Sequence, residues 1–272
     1  MLHDHRSIHR FSHGTFNIET DRLAVENLVE LRTKDKTITR LLATSHDVEW
    51  LAVGHLHLEH GLEIPQESLE IERHGNGSIS VQVSGIGNRN DLIQRPSIVT
   101  SSCGACDHPH LDGELTVERA ATQQPGSLSM DTLRYGFEIM RREQTGFKST
   151  GGMHAALLMA GDQEHVLCED IGRHNAVDKA WGAWRLSKKG TSPKALLLSG
   201  RVGWDIVAKA VRMGVNIVAS VGAASTMAAD TARSHNVTLV SFWKQDSAVV
   251  IGHISGLNTQ RVENGDHSEQ PR

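Results

Sequence analysis

Cys103 and Cys106, separated by Gly104 and Ala105, stand between Ser101-Ser102 and Asp107-His108-Pro109-His110, and the remaining cysteine, Cys168, ends an apolar run. A thiol in a polar, histidine-bearing stretch can be ionised and reached by another molecule, whereas a thiol selected for packing lies among apolar neighbours. The pair therefore reads as a reaction centre, with a thiolate as nucleophile and His108 and His110 near enough in sequence to assist its ionisation. A structural zinc site needs four ligands, usually as two separated pairs, and the chain has no second C-x-x-C. His108 and His110 would complete a set only by crowding every ligand into one short stretch. A thioredoxin-like dithiol would open a helix directly after a strand, which Asp-His-Pro-His does not favour. A thiol that carries a group fits these residues better.

Other polar clusters fall where strands hand over to helices: Thr150-Gly151-Gly152-Met153-His154, the run from Glu169 to Asn175 with Arg173 and His174 at its centre, and Ser199-Gly200-Arg201. In open α/β sheets ligand crevices form at such places. Glycine lets the backbone approach a ligand, helix-start N–H groups favour anions, and arginine grips phosphate with two parallel hydrogen bonds. Together these residues point to a phosphorylated ligand. Taken singly, each cluster is also what strand ends, helix caps and surface ion pairs produce. Neither G-x-G-x-x-G nor the full G-x-x-x-x-G-K-S/T pattern occurs, so the standard dinucleotide and triphosphate fingerprints are missing.

The elements that must hold these residues divide in two. Residues 17–83 are strand-rich, with strands expected at 23–32 and 37–43 and a hairpin of 69–73 with 78–83 turning at Gly75-Asn76-Gly77. One helix interrupts them. It starts near Ser45 or His46, shows Val48, Leu51, Ala52, His55 and Leu58 at helical spacing, and stops at Gly61. His55, His57 and His60 read as surface or core-edge residues of this helix. Residues 88–126 lack periodicity, and a helix follows over 129–143 with Met130, Leu133, Phe137 and Met140 on one face. Beyond it short apolar runs at 155–159, 166–168, 195–198, 217–220 and 238–242 alternate with helical patterns at 175–184, 204–213 and 226–233. That rhythm implies a parallel or mixed sheet covered on both faces. The expected domains are a loose tail over 1–16, a smaller strand-rich N-terminal domain over 17–100, a cysteine loop over 101–127, an α/β domain over 128–256 and a second tail over 257–272. His3, His5, His9 and His13 in the first tail read as solvated rather than metal-binding. Cys168, Trp181 and Trp204 read as core or core-edge.

At 272 residues the chain can bury a substantial core, and its formal net charge of -4 carries no global excess of positive charge that would advertise nucleic acid. Three cysteines cannot all pair, and the opening residues hold no apolar stretch resembling a secretion signal or membrane span, so a cytoplasmic protein is expected.

The motifs together resemble the formate dehydrogenase accessory sulfurtransferase (FdhD/NarQ) family. The likeness runs through SSCGAC at 101–106, TGGMHAA at 150–156, EDIGRHNAVDKAWG at 169–182, SGR at 199–201 with IVAKAVRMG at 206–214, and TLVSF at 238–242. It is weaker in ENLVELR at 26–32 and in the helix region at 43–62. Asp107 stands where the family has glycine and Gly203 where it has serine. Gly222-Ala223-Ala224-Ser225 replaces a Ser-Ala-Pro-Thr run, and residues 243–247 lose family arginines and gain an acid.

The resemblance implies an α/β core similar to that of the cytidine deaminases, though their zinc signature is absent. It implies a sulfur carrier that accepts sulfane sulfur from a cysteine desulfurase, with the persulfide on Cys103, and delivers it to the molybdenum cofactor of formate dehydrogenase. Cys106 would assist release or protect the carrier as a transient disulfide. The guanine dinucleotide form of the cofactor, bound as a substrate, would be held by Phe242, Trp243, Lys244, Gln245, Asp246 and Ser247. Arg173, Arg201 and Lys244 are candidates for its charge, His174 for a hydrogen bond and Gly200 for close backbone approach. The expected partners are the desulfurase and formate dehydrogenase, with no nucleic acid or membrane. A homodimer is suggested only by the frequency of symmetric dimers. Two other readings stand beside this one: a cofactor-binding maturation chaperone without sulfur chemistry, and a zinc-dependent deaminase relative.

Overall fold

A computed structural model of the chain describes residues 3–85, 98–99, 128–187, 190–245, 247–254 and 257–258. The chain opens with an antiparallel hairpin of β1 (His3–Ser12) and β2 (Thr15–Ala24), paired from His3 with Ala24 to Ser12 with Thr15. This corrects the expectation of a loose tail over residues 1–16. The hairpin escapes an apolar-period reading because it buries so little: Phe11, Phe16 and Ile18 are exposed, and Arg10 bridges to Glu19 and Asp21 across the strands. Cross-strand pairs and the ladder define it, not a core. The single strand expected over 23–32 is also two, since β2 ends at Ala24 and β3 (Asn27–Arg32) begins after a break.

β3 pairs with β4 (Thr37–Ala43), and the chain then enters α1 (Val48–His60), which ends at a left-handed Gly61. β5 (Leu69–Arg73) and β6 (Ile79–Val83) form the expected hairpin. With β7 (Ile98–Val99) they complete a five-stranded sheet in the order β5-β6-β3-β4-β7. Alternate residues of β3 and β6, among them Val29, Leu31, Ile79 and Val81, pack against Leu51, Ala52 and Leu56 of α1. The period-two and 3.6-residue patterns thus meet on one core.

The second half begins with β8 (Leu128–Ser129), α2 (Met130–Glu143) and a short α3 (Thr145–Thr150). Ser129 caps α2 by accepting from the Thr132 N–H at 3.0 Å. The next elements are β9 (His154–Met159), β10 (His165–Asp170), α4 (Arg173–Leu186), β11 (Ala195–Leu198), α5 (Trp204–Arg212), β12 (Ile217–Ser220) and α6 (Thr226–Ser234). β13 (Thr238–Lys244), β14 (Ser247–Ile251) and β15 (Leu257–Asn258) close the series, β15 pairing with β8. Six strands form a mixed sheet in the order β10-β9-β11-β12-β13-β14, parallel only across β11, β12 and β13. The expected α/β class therefore holds. One face packs on α4, α5 and α6 through Leu158, Leu196, Leu198, Val218 and Leu239; the other packs on α2 through Leu157, Leu197, Ala219 and Val240. Burial on both faces is why these strands read as unbroken apolar runs rather than alternating ones.

α1 lies between the two halves, packed on the first sheet by one side and on α4 by another, which explains why it is apolar almost all round. At the crossing, a Cβ on Gly54 would stand 1.8 Å from the Asp178 carbonyl oxygen, and one on Gly182 would stand 1.9 Å from the Trp50 carbonyl oxygen. Each glycine lets the other helix's backbone come to contact distance. No helix among the described residues is long and apolar enough to cross a membrane.

Candidate functional site

A cavity of about 540 Å³ opens beside the carboxyl ends of the parallel strands, a volume within the range of ordinary ligand pockets. Several stretches converge on it. α2 supplies Phe137, Met140 and Arg141; the α3 turn and the glycines after it supply Phe147, Gly151, Gly152 and Met153; His154 and Ser199 come from the ends of β9 and β11; and Trp243, Lys244 and Gln245 come from the end of β13.

Local chemistry fixes each wall. Both carboxylate oxygens of Glu169 accept backbone N–H groups at the start of α3, from Gly146 at 2.8 Å and Phe147 at 2.7 Å, and so tie that turn to β10. The Ser199 hydroxyl accepts the Ala155 N–H at 2.8 Å, joining the ends of β9 and β11. The β13–β14 ladder shifts register between Ser241 and Lys244. Within this bulge Phe242 takes φ of 53° and donates its N–H to the Gly222 carbonyl at 2.9 Å. The bulge turns Phe242 outward, 49% exposed, and turns Trp243 inward, where its ring stacks on Phe137 with centroids 4.9 Å apart.

A cationic cluster acts on His154. Burial holds the His154 imidazole below its ordinary pKa, with Arg173, Arg201 and His174 pushing the same way and Asp170 opposing them. A Cβ on Gly200 would stand 3.0 Å from His154 Nδ1 and 3.9 Å from Arg173 Cδ, so glycine here leaves the imidazole and the guanidinium stem their space. The buried Arg173 Nε has no hydrogen-bond partner among the described residues. His174 is paired with Asp205 in the first turn of α5. Burial tends to raise the Asp205 carboxyl, but the His174 hydrogen bond and charge outweigh it and hold the group below the usual carboxylate range.

Of the residues expected from sequence to hold a ligand, Trp243, Lys244 and Gln245 line the cavity, while Phe242 lies in the bulge beside them. Arg173, Gly200 and Arg201 gather around His154. His174 is turned to Asp205 instead, and Ser247 begins β14, pairing with Lys244. The strand expected over 238–242 runs on through Lys244, and a further strand, β14, begins at Ser247, so these residues belong to two paired strands and the turn between them. Cys103, Cys106 and Asp246 lie outside the described residues.

Phe137 and Met140 were visible in the sequence as an apolar helix face, but nothing local marked that face as a cavity wall. His154 sat within a recognised cluster without a distinct role. Most other polar positions of the 169–182 run hold the two halves together. Asp170 accepts from the Thr44 N–H and hydroxyl, from the Gly172 N–H and from Asn175, and pairs with Lys179. Asp178 joins His55 of α1 at 2.9 Å and Lys209 of α5, and Lys209 also reaches Glu59 at 2.8 Å. Burial opposes the Lys209 charge, yet the two carboxylates hold its pKa above the ordinary lysine value. His57 accepts the Trp181 indole N–H at 2.9 Å, in keeping with a core-edge role. Cys168 is buried, and burial pushes its thiol pKa up, as expected of a packing residue rather than a nucleophile.

The model of the FdhD/NarQ family matches residues 24–257. The sulfur carrier protein FdhD of Mycobacterium tuberculosis (strain ATCC 25618 / H37Rv) is 31% identical over 259 residues, covering 89% of this chain and 94% of that protein. The protein of the same name from Anaeromyxobacter sp. (strain K) is 35% identical over 242 residues, covering 82% and 83%. The crystal structure of a putative formate dehydrogenase accessory protein from Desulfotalea psychrophila shares the fold, with TM-score 0.73 at 20% identity, over 95% of this chain and 100% of that one. With its motifs spread across both halves and two of them, at 150–156 and 199–201, lining the cavity, the chain belongs to the FdhD/NarQ family.

Proposed function

We propose that this protein is a sulfur carrier that takes sulfane sulfur from a cysteine desulfurase onto Cys103 and passes it to a molybdenum cofactor destined for formate dehydrogenase. The observation that carries the reading is the family match over residues 24–257, which spans Cys103-Gly104-Ala105-Cys106, together with relatives named sulfur carrier proteins along most of their length. The relative of known structure is described as a putative formate dehydrogenase accessory protein, which supports formate dehydrogenase as the beneficiary.

In the loading step the Cys103 thiolate attacks the terminal sulfur of the desulfurase persulfide, and the desulfurase cysteine leaves as a thiolate. In delivery, Cys106 attacks the inner sulfur of the Cys103 persulfide. A Cys103–Cys106 disulfide forms, sulfide departs toward the metal, and a thiol reductant later restores the pair. The cofactor is a substrate here, in its guanine dinucleotide form. The cavity supports that choice because it offers a stacked aromatic wall of Phe137 and Trp243 for a planar ring. It also offers Arg141 and Lys244 with Arg173 and Arg201 nearby for phosphates. Held there, the cofactor would present its metal to an incoming persulfide at high effective concentration.

Incubation with a cysteine desulfurase and cysteine, followed by intact-protein mass spectrometry, tests the reading. The wild type should gain one sulfur atom on the peptide containing Cys103, and Cys103→Ala should gain none. A Cys103→Ala protein that still gains sulfur would overturn the assignment.

A further inference from the structure

One wall of the cavity carries an imidazole that has no side-chain partner among the described residues. His154 opens β9 opposite Asp170 of β10, and among the described residues Arg173 and His174 on α4 and Arg201 after β11 are the other groups that act on its charge. Asp170 is engaged by Lys179, Thr44, Gly172 and Asn175, and His174 by Asp205. His154 itself makes no hydrogen bond or ion pair from its side chain among the described residues, yet it lines the cavity. An imidazole on the cavity wall, with two guanidiniums acting on its charge and no side-chain partner among the described residues, is what an anion arriving from the cavity would complete.

We propose that His154 is the ligand-contacting acid–base group of this cavity: its imidazole takes up one proton as an anionic oxygen of the ligand settles against it, so that binding and proton uptake are coupled. The inference rests on the cavity being the site of the phosphorylated cofactor. Arg173 and Arg201 cannot serve this purpose, because a guanidinium keeps its charge at every relevant pH. An empty site disfavours the imidazolium, through burial and the two guanidiniums beside it. A phosphate oxygen placed against the imidazole from the cavity reverses that balance and accepts a charge-assisted hydrogen bond. Because a proton is taken up, affinity rises as pH falls toward 6.5 and below, and levels off once the empty site also protonates.

Isothermal calorimetry of the full chain with GDP-mannose tests this. The probe has a guanine and a pyrophosphate diester, which has no proton of its own to exchange near neutral pH. Titrations at pH 6.5 in two buffers of different ionisation enthalpy should show proton uptake by the wild type. His154→Gln should abolish the uptake and weaken binding about tenfold at pH 6, as loss of one charge-assisted hydrogen bond implies. The difference between the two proteins should shrink by pH 8.5. Binding by the wild type without proton uptake, or uptake that persists in His154→Gln, would overturn the role of His154 and leave the cavity assignment standing. Failure of the wild type to bind the probe at any pH would overturn both.

Discussion

Asp170 and Lys179 meet at 2.6 Å with neither side chain open to solvent, and the Thr44 hydroxyl of the N-terminal half touches both. Two buried charges are costly to desolvate, so such a pair adds little net stability, but removing one partner strands the other. Lys179→Met should therefore lower unfolding stability by about 3–5 kcal/mol. Adding Asp170→Asn should recover a large part of the loss, since the orphaned charge is then gone. Urea unfolding of the two variants checks this; equal stabilities would mean that the pair is not the coupled unit described.

The crossing of α1 and α4 leaves no room for a methyl group. Gly54→Ala would drive its Cβ into the Asp178 carbonyl, and Gly182→Ala would do the same to the Trp50 carbonyl. Ordinary propensity favours alanine over glycine in a helix by about 1 kcal/mol. Here overpacking dominates, and each substitution should destabilise by about 1–3 kcal/mol or more. Thermal unfolding that rises in either variant would contradict the close crossing.

Much of the fold was legible because local patterns and burial agree. The hairpin of β5 and β6, the end of α1 at Gly61 and the alternation of β11, α5, β12 and α6 all follow from period and turn chemistry. What was hidden depends on partners distant in sequence. β1 and β2 bury too little to leave an apolar rhythm, and α3 is fixed by Glu169 more than twenty positions away. The long motif at 169–182 invited a ligand-binding reading because its polar residues are so dense. Asp170, Asn175, Asp178 and Lys179 are spent instead on buried contacts with the N-terminal half and α5. The segment at 243–245 was legible through resemblance, whereas Phe137 joins it only by a stack made in three dimensions.

The pH dependence of stability should carry the mark of two half-buried histidines. His57 is held below the ordinary value of 6.5 by burial and then by Arg185, with Glu63 opposing; His154 is lowered by burial and then by Arg173 and Arg201. In the unfolded chain both titrate near 6.5, so between that value and their lower folded values the unfolded state binds more protons. Stability contributed by these neutral rings is present above pH 6.5 and is lost as pH falls below it. Urea unfolding at pH 7.5 and 5.5 should show the wild type weakening toward acid, and His57→Gln/His154→Gln should show a shallower decline. An unchanged slope in the double variant would remove both groups from the account.

Phe242 occupies the left-handed region at φ 53° although it carries a Cβ, at the point where the β13 bulge turns Trp243 into the cavity. A residue with a side chain pays about 1–2 kcal/mol for this conformation, and glycine does not. In an ordinary strand glycine is the weaker choice by about 0.5–1 kcal/mol. At position 242 the order should reverse: Phe242→Gly and Phe242→Ala both lose the ring, but the glycine variant should be the more stable of the two by about 1 kcal/mol. Both should bind a guanine nucleotide more weakly than the wild type if the exposed ring belongs to the rim of the site, because strain kept at a surface aromatic residue is best explained by its use. Urea unfolding and nucleotide titration of the two variants read the two effects separately. An alanine variant as stable as the glycine one would mean that the backbone at 242 is not held in the left-handed region.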